Sequence, residues 1–378
     1  MPDNIIQICH LTINPITYER RIQNQAGSAL EAGYKVCIFA LDLPGHTSVK
    51  NPFPYPVTHI KTPFYRGGML KFLHFNWKIF RMLLFQRIAI IHCHDLWLMP
   101  AASLLTVLKK NRLIYDAHEY YAGLEIFNHH RLRRKIWMVL EQLIIPSVDV
   151  LLTVSEPLAD LYRQKYRYLK AVEVIRNLPK PESGKIHNSA ASFPTVSRPL
   201  IIYQGHFRPG RGLGNLIHAM ALTDKGHLLL VGGGELESDL KNLVAHYRLE
   251  KKITFFGYVP NNDLISLSAQ ADLGVVLFEP TSLNYAYALP NKFFEYIMAG
   301  IPVLASDIDT FQSYISRYEL GMTVDPSDIQ AIAARIRLML SEPQKLSVWR
   351  KNAQLAAKEL NWNRESLKMN AIYERFAG

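Results

Sequence analysis

The alternation of short apolar runs with longer stretches of helical period constrains this chain more than any other feature. In the first half, residues 5–9, 36–40, 88–92, 113–115 and 150–154 are runs of strand length rich in branched and aromatic residues. Between the first two lies a segment, 18–32, where Ile22, Ala26, Ala29 and Leu30 share one helical face and Gly33 supplies a stop. Strand, helix and strand in that order imply a crossover, so the sheet is expected to be parallel and doubly wound.

From about 184 to 199 the sequence turns to Ser, Ala, Pro and Asn without period, and 186–199 is read as an interdomain linker. The alternation then starts again. Strands are expected at 200–204, 228–231, 253–256, 273–278 and 303–305, with helices at 213–222, 236–247, 261–270 and 291–299. Two more helices are expected at 327–340, with Ser327 as N-cap, and at 343–360. The chain therefore reads as α/β, with one Rossmann-like domain over 1–185 and another over 200–360. A last helix over 361–378 is expected to cross back to the first domain. Tandem domains of this kind hold ligands in a cleft at the carboxyl ends of their strands.

Charge divides the two halves. Residues 1–185 carry 24 Lys and Arg against 14 Asp and Glu, whereas 186–378 carry 19 against 18. The excess sits in the stretch 66–87, where Lys71, Lys78, Arg81 and Arg87 interleave with aromatics, and in Arg131-Leu-Arg-Arg-Lys135. Two readings stand for 66–87: an amphipathic segment resting on an anionic membrane, or a core helix with a cationic wet side. No nucleic-acid motif accompanies the charge. Three scattered cysteines, with no C-x-x-C pair, suit a reducing cytosol. The first apolar run begins almost at the N-terminus, leaving no room for a signal peptide, and no run reaches the ~20 residues that span a bilayer. The expected location is cytoplasmic, peripheral on the inner face of the membrane.

Two segments of the second half carry the clearest chemistry. In Tyr203-Gln-Gly-His-Phe-Arg-Pro-Gly-Arg-Gly212, glycines at 205, 210 and 212 let the backbone approach an anion. Arg208 and Arg211 add bidentate donors beside a helix N-terminus. In the segment 290–306 the only charges before Ser306 are Lys292 and Glu295, placed by Pro290 in the first turns of a helix. A carboxylate among such apolar neighbours needs donors, and the vicinal hydroxyls of a ribose supply them. Val231-Gly-Gly-Gly-Glu235 and Gly257-Tyr-Val-Pro260 are further strand-end turns. In the first half, His92, His94 and His118 stand near strand ends with Asp95, Asp116 and Glu119. They come from two strand ends without helical spacing, which argues against a metal site; packing with hydrogen bonds is the alternative for His92 and His94, and for His92 it is favoured.

The order of these elements resembles the retaining glycosyltransferases of family 4, with the two-domain GT-B fold. The resemblance runs through Tyr18-Glu-Arg-Arg-Ile22, Gly33-Tyr-Lys-Val36, His92-Cys-His-Asp95, Tyr115-Asp-Ala-His-Glu119, Thr153-Val-Ser155 and Arg176-Asn177. It continues through 205–212, Leu229-Leu-Val-Gly-Gly-Gly234 and 290–306. It implies a nucleotide-diphosphate-sugar donor of UDP or GDP type, no metal or other cofactor, and a glycan or lipid-linked acceptor from bacterial surface-polysaccharide synthesis. The family's basic pair on the donor diphosphate falls on His206, with Arg208 as stand-in, and on Arg211. Gly205, Asn291 and Lys292 belong to the same donor site, and the ribose-binding glutamate falls on Glu295. The family's earlier glutamate, on the donor sugar, falls on Tyr287, or on Tyr285 in a shifted alignment. His118 takes the position of the family's active histidine. Acceptor choice is expected in the loops 44–66 and 120–130. A nucleotide-sugar epimerase of this architecture and a non-catalytic nucleotide-sugar-binding partner are the competing readings.

Overall fold

Runs that are apolar on both faces become interior strands of parallel sheets, because helices cover each side. The computed structural model describes residues 5–42, 52–64, 68–124, 130–181 and 198–377. Its first compact unit comprises 1–177 together with 364–378, and its second 178–363. The expected linker at 186–199 lies largely outside the described residues, as do parts of the loops 44–66 and 120–130. The first unit ends earlier than the expected 185, with Leu178 buried in the core of the second.

The first unit holds strands β1 (Ile6–Leu11), β2 (Val36–Leu41), β3 (Val57–Ile60), β4 (Ile88–His94), β5 (Arg112–Asp116), β6 (Val150–Thr153) and β7 (Val172–Val174). They pair in parallel in the order β3-β2-β1-β4-β5-β6-β7. The second holds β8 (Leu200–Gln204), β9 (His227–Val231), β10 (Ile253–Gly257), β11 (Leu273–Val276), β12 (Val303–Ser306) and β13 (Gly321–Val324). Their order is β10-β9-β8-β11-β12-β13, with parallel pairing throughout. Each order runs outward in both directions from the unit's first strands, so the turns beside β1 and β4, and beside β8 and β11, lie at the switch point where such sheets bind ligands.

The helix expected over 327–340 forms at Ile329–Ser341, but its cap is not Ser327. Asp328 accepts from Ala331 N at 2.9 Å, while the Ser327 hydroxyl donates to Asp325. The two hydroxyl and carboxylate neighbours compete for one role, and the residue next to the first turn takes it. The last helix, Trp362–Ala377, packs on the first unit. There the fully buried Glu365 accepts from Arg176 Nη2 at 2.6 Å and from its backbone N–H at 2.9 Å.

Candidate functional site

In the second unit, β8 ends at Gln204 and a glycine-rich loop leads to the helix Leu213–Ala221. Two glycines of this loop are obligatory. A Cβ on Gly210 would lie 2.2 Å from the Tyr285 ring, and one on Gly212 would lie 2.5 Å from the Leu277 carbonyl oxygen. Both also have positive φ, of 74° and 64°. The loop is thereby pressed onto the segment after β11. Arg211 stacks over Phe278 at 4.1 Å and over Tyr285 at 5.2 Å, and the Tyr285 hydroxyl donates to Pro209 O at 3.1 Å. Arg208 points to solvent from the same loop, and Tyr287 is half-buried at the end of the short turn Leu283–Ala286.

Pro290, extended at φ −75° and ψ 151°, opens the helix Asn291–Met298. Asn291 is exposed, but Lys292 and Glu295 are buried, at 8% and 6% exposure. The Lys292 ammonium lies 3.7 Å over the Tyr203 ring, beside Gly205, where a Cβ would approach Nζ to 3.1 Å. Burial, with Arg211 nearby, pushes Lys292 well below the usual lysine range against the pull of Glu295. Glu295 accepts from Gln204 Nε2, and Gln204 Oε1 in turn accepts from Ser268 Oγ at 2.6 Å. Tyr296 fixes the same strand end, its hydroxyl accepting from Gln204 N at 3.0 Å and donating to Ile202 O at 3.3 Å. Gly205, Arg211, Tyr285, Lys292 and Glu295 are thus gathered at one strand end. Gln204, Ser268 and Tyr203 belong with them; the sequence reading places Tyr203 and Gln204 in the loop segment without a role and does not single out Ser268. A lone polar residue ending the apolar run 200–204 was the available signal.

Two cations, close-packed glycines and a buried carboxylate held by a side-chain amide make a surface that can take a phosphate group beside a diol. The turns 231–237 and 257–260 stand behind it. Phe207 N donates to Gly233 O at 2.9 Å, and Gly232 N to Gly257 O at 2.7 Å.

In the first unit, sheet register assembles a second cluster. His10 on β1 pairs with His92 on β4, and His94 pairs with Asp116 at the end of β5. Asp116 is fully buried and accepts from Arg21 Nε and Nη2, each at 2.8 Å, and from Gln25 Nε2 at 2.8 Å. Burial alone would raise its pKa. Arg21 and His118 outweigh that and hold the carboxyl well below the usual range. His118 is 21% exposed, with Nδ1 3.7 Å from Asp95 and Nε2 3.8 Å from Asp116. Burial opposes its charge, but these two carboxylates push it up to about 9. Asp95 sits at φ 61°, a strained backbone held by its N–H bond to Asp116 O at 3.0 Å. His10 and His94 are driven well below the usual histidine range by burial, then by His92, and His92 is lowered by burial too.

Two triads here, His10–His92–His94 and His94–Asp116–His118, bring ligand-type atoms within 4.8 Å of one another. Their nitrogens are engaged with each other. His10 Nδ1 meets His94 Nε2 at 3.0 Å, and His94 Nδ1 meets His118 Nε2 at 3.3 Å. The rings of His92 stack on His94 and His10 at 4.5 and 4.7 Å. His92, for which packing is favoured from sequence, is fully buried and meets the Tyr373 hydroxyl through Nδ1 at 2.8 Å. His10 and Tyr373 were not foreseen.

Comparison with known proteins matches two family descriptions in succession: Glycosyltransferase Family 4 over residues 18–178 and Glycosyl transferases group 1 over 186–356. An uncharacterized glycosyltransferase, YqgM of Bacillus subtilis, is 24% identical over 69% of this chain and 70% of its own length. The O-antigen chain mannosyltransferase B of Escherichia coli is 28% identical over 43% of this chain and 42% of its own. Among solved structures, Anabaena Alr3699/HepE in complex with UDP superposes with a TM-score of 0.76 at 14% identity, over 98% of this chain and all of that one (100%).

Proposed function

The chain belongs to the family-4 glycosyltransferases, and from that premise we propose that it moves a sugar from a UDP- or GDP-type donor to a hydroxyl of a lipid-linked glycan, retaining anomeric configuration, in the assembly of a surface polysaccharide. The observation that carries the donor reading is the buried Lys292–Glu295 pair gathered with Arg211 at one strand end. In this reading Glu295 accepts from the ribose hydroxyls, while Arg211, Lys292 and the helix N-terminus offset the diphosphate charge without a metal. Gly205 and Asn291 border the diphosphate, Arg208 closes over it from solvent, and Tyr285 and Tyr287 flank the sugar. Gln204 Nε2 donates to Glu295, so in this reading the amide orients the carboxylate for the diol.

His118 is assigned to the reaction centre. An imidazole could either orient a sugar hydroxyl or offset positive charge at an oxocarbenium-like carbon. A group pushed up to about 9 is cationic at neutral pH, which favours the first role, since a cation repels the second. The donor phosphate then takes the proton of the incoming hydroxyl.

A lipid-linked acceptor is supported by the surface of the first unit. Helices Gly68–Leu83, Met99–Lys109 and Arg131–Ile144 pack side by side. They expose Met69, Leu73, Trp77, Val107, Leu132 and Leu143, each at least half open to solvent. The same helices carry Lys71, Lys78, Arg81, Arg131, Arg133, Arg134 and Lys135, and the one acid on them, Glu141, is buried against Tyr162, Tyr166 and Lys165. Exposed apolar residues on helices whose only acid is buried beside several cations suit an anionic membrane surface on the cytoplasmic side. No helix among the described residues is long and apolar enough to cross a membrane.

A thermal-shift panel of UDP, GDP, ADP and NAD tests the donor reading. A nucleoside diphosphate at 100 times its Kd adds about 2.7 kcal/mol, a rise of roughly 5–10 °C for a unit of this size. Silence from all the diphosphates removes the reading, and a response to NAD alone redirects it.

A further inference from the structure

The histidine cluster behind His118 contains four groups that the transfer reaction does not use: His10, His92, His94 and Tyr373. All are 0–1% exposed, so each meets its hydrogen-bonding needs from its neighbours rather than from bulk water. We propose that they form one directional hydrogen-bond chain that fixes the protonation and orientation of His118, with Tyr373 of the last helix acting as a positioning residue for the transfer reaction. The catalytic part of this inference rests on the reading of His118 given above.

The direction follows from counting hydrogens. Asp116 only accepts, and two nitrogens lie 3.5 Å from its Oδ2: His92 Nε2 and His94 Nδ1. A neutral imidazole donates from one nitrogen and accepts at the other. Suppose His92 donates from Nε2. Its Nδ1 then accepts the Tyr373 hydroxyl at 2.8 Å, and the Tyr373 oxygen accepts from His10 Nε2 at 3.5 Å. His10 Nδ1 accepts from His94 Nε2 at 3.0 Å, and His94 Nδ1 accepts from His118 Nε2 at 3.3 Å. Every donor then meets an acceptor except His92 Nε2–H, which faces Asp116 Oδ2 at 3.5 Å without closing a hydrogen bond. The chain ends on an imidazolium whose other N–H faces Asp95.

Suppose instead that His94 donates to Asp116 from Nδ1. Every link reverses, and two N–H groups confront each other between His94 and His118. The His92 lone pair then points at the carboxylate. The chain therefore has two states, and a charged His118 selects the first. Conversely, the first state presents His118 with a lone pair and supports its charge. The Tyr373 hydroxyl is the link through which His10 and His92 are held to one direction.

Other groups face His118 as well. Asp95 follows β4, Asp116 ends β5, and His92 lies behind. Arg21 on the first helix opposes the charge, and Glu19 just before that helix favours it. None of these changes when the Tyr373 oxygen is removed. Tyr373→Phe should therefore lower the basic limb of kcat from about 9 by up to roughly one unit, the worth of one neutral hydrogen bond passed along the chain. The KM for the nucleotide-sugar should not change. Long-range ¹⁵N–¹H spectra should show His10, His92 and His94 as neutral Nε2–H tautomers in the unmodified protein at pH 7, and mixed tautomers in the variant. Tyr34→Phe, whose ring lies 6.2 Å from Tyr373 but outside the chain, should match the unmodified protein throughout.

A folded Tyr373→Phe variant with an unshifted limb would overturn the proposal. So would an Nδ1–H tautomer at any of the three histidines in the unmodified protein, a measurement that needs no variant to fold. Full turnover by His118→Ala would overturn the reading of His118 itself, and the tautomer spectra separate that failure from this one.

Discussion

Replacing Lys292 by methionine keeps the length of the side chain and removes its charge. The ammonium is 8% exposed and rests on the Tyr203 ring at 3.7 Å, a contact that a desolvated cation values at about 2 kcal/mol. Against this stands the cost of holding a charge out of water near Arg211. The direction of the Lys292 shift says that this cost exceeds what Glu295 returns. Each unit of such a shift is worth about 1.4 kcal/mol. The balance predicts that Lys292→Met stabilises the free protein, and each kcal/mol gained reads as a Tm rise of roughly 2–4 °C for a unit of this size. The same change removes a charged donor from the diphosphate, a loss of about 1.5–3 kcal/mol, or roughly 10- to 150-fold in nucleotide affinity. Melting curves with and without a fixed excess of UDP or GDP read both effects together. A lower Tm without nucleotide would show that Lys292 is a stabilising core residue, and an undiminished nucleotide shift would remove it from the donor site.

Glu295→Ala should lose the nucleoside-diphosphate shift altogether, whereas His118→Ala should keep it and lose turnover; the opposite pattern would exchange their roles. Gly210→Ala must move the Tyr285 ring from its place beside Arg211, so donor KM should rise and Tm fall, the cost of a strained backbone position being about 1–3 kcal/mol. Stability should depend on pH from both sides. The folded pKa of His118 is raised to about 9, so its contribution is complete below ~6.5 and fades as pH climbs toward 9. His10 and His94 are lowered, so they cost stability as pH drops below ~6.5. A urea midpoint that is flat from pH 5 to 9 would contradict both signs. Finally, replacing Arg133 and Arg134 by serine should weaken sedimentation with phosphatidylserine-containing vesicles by roughly 30-fold, at about 1 kcal/mol for each cation, and leave neutral vesicles unaffected; equal loss on both kinds would point away from a membrane face.

The parallel strands at the centre of each unit were legible because both of their faces are covered, which leaves an unbroken apolar run such as 200–204. Three edge strands were not. Val57–Ile60, Val172–Val174 and Gly321–Val324 are three or four residues long and only partly buried, and a half-solvated edge leaves no such run. Lys292 and Glu295 stood out for a related reason, as charges in a segment otherwise apolar. Their partner Gln204 did not, since the pairing joins a strand end to a helix 91 positions later. His10 reads as one more core residue of β1 until register sets it beside His92. Tyr373 lies 281 positions from the histidine it touches, and no local pattern encodes that distance.

Product analysis tests the central claim most directly. The protein is incubated with a UDP- or GDP-sugar, with and without a detergent-solubilised lipid-linked glycan. The account predicts nucleoside diphosphate release that requires the acceptor, one sugar transferred per diphosphate released, and the donor's anomeric configuration kept in the product. Conversion of the donor to an epimer without acceptor, or nucleotide binding with no turnover across an acceptor panel, would contradict it.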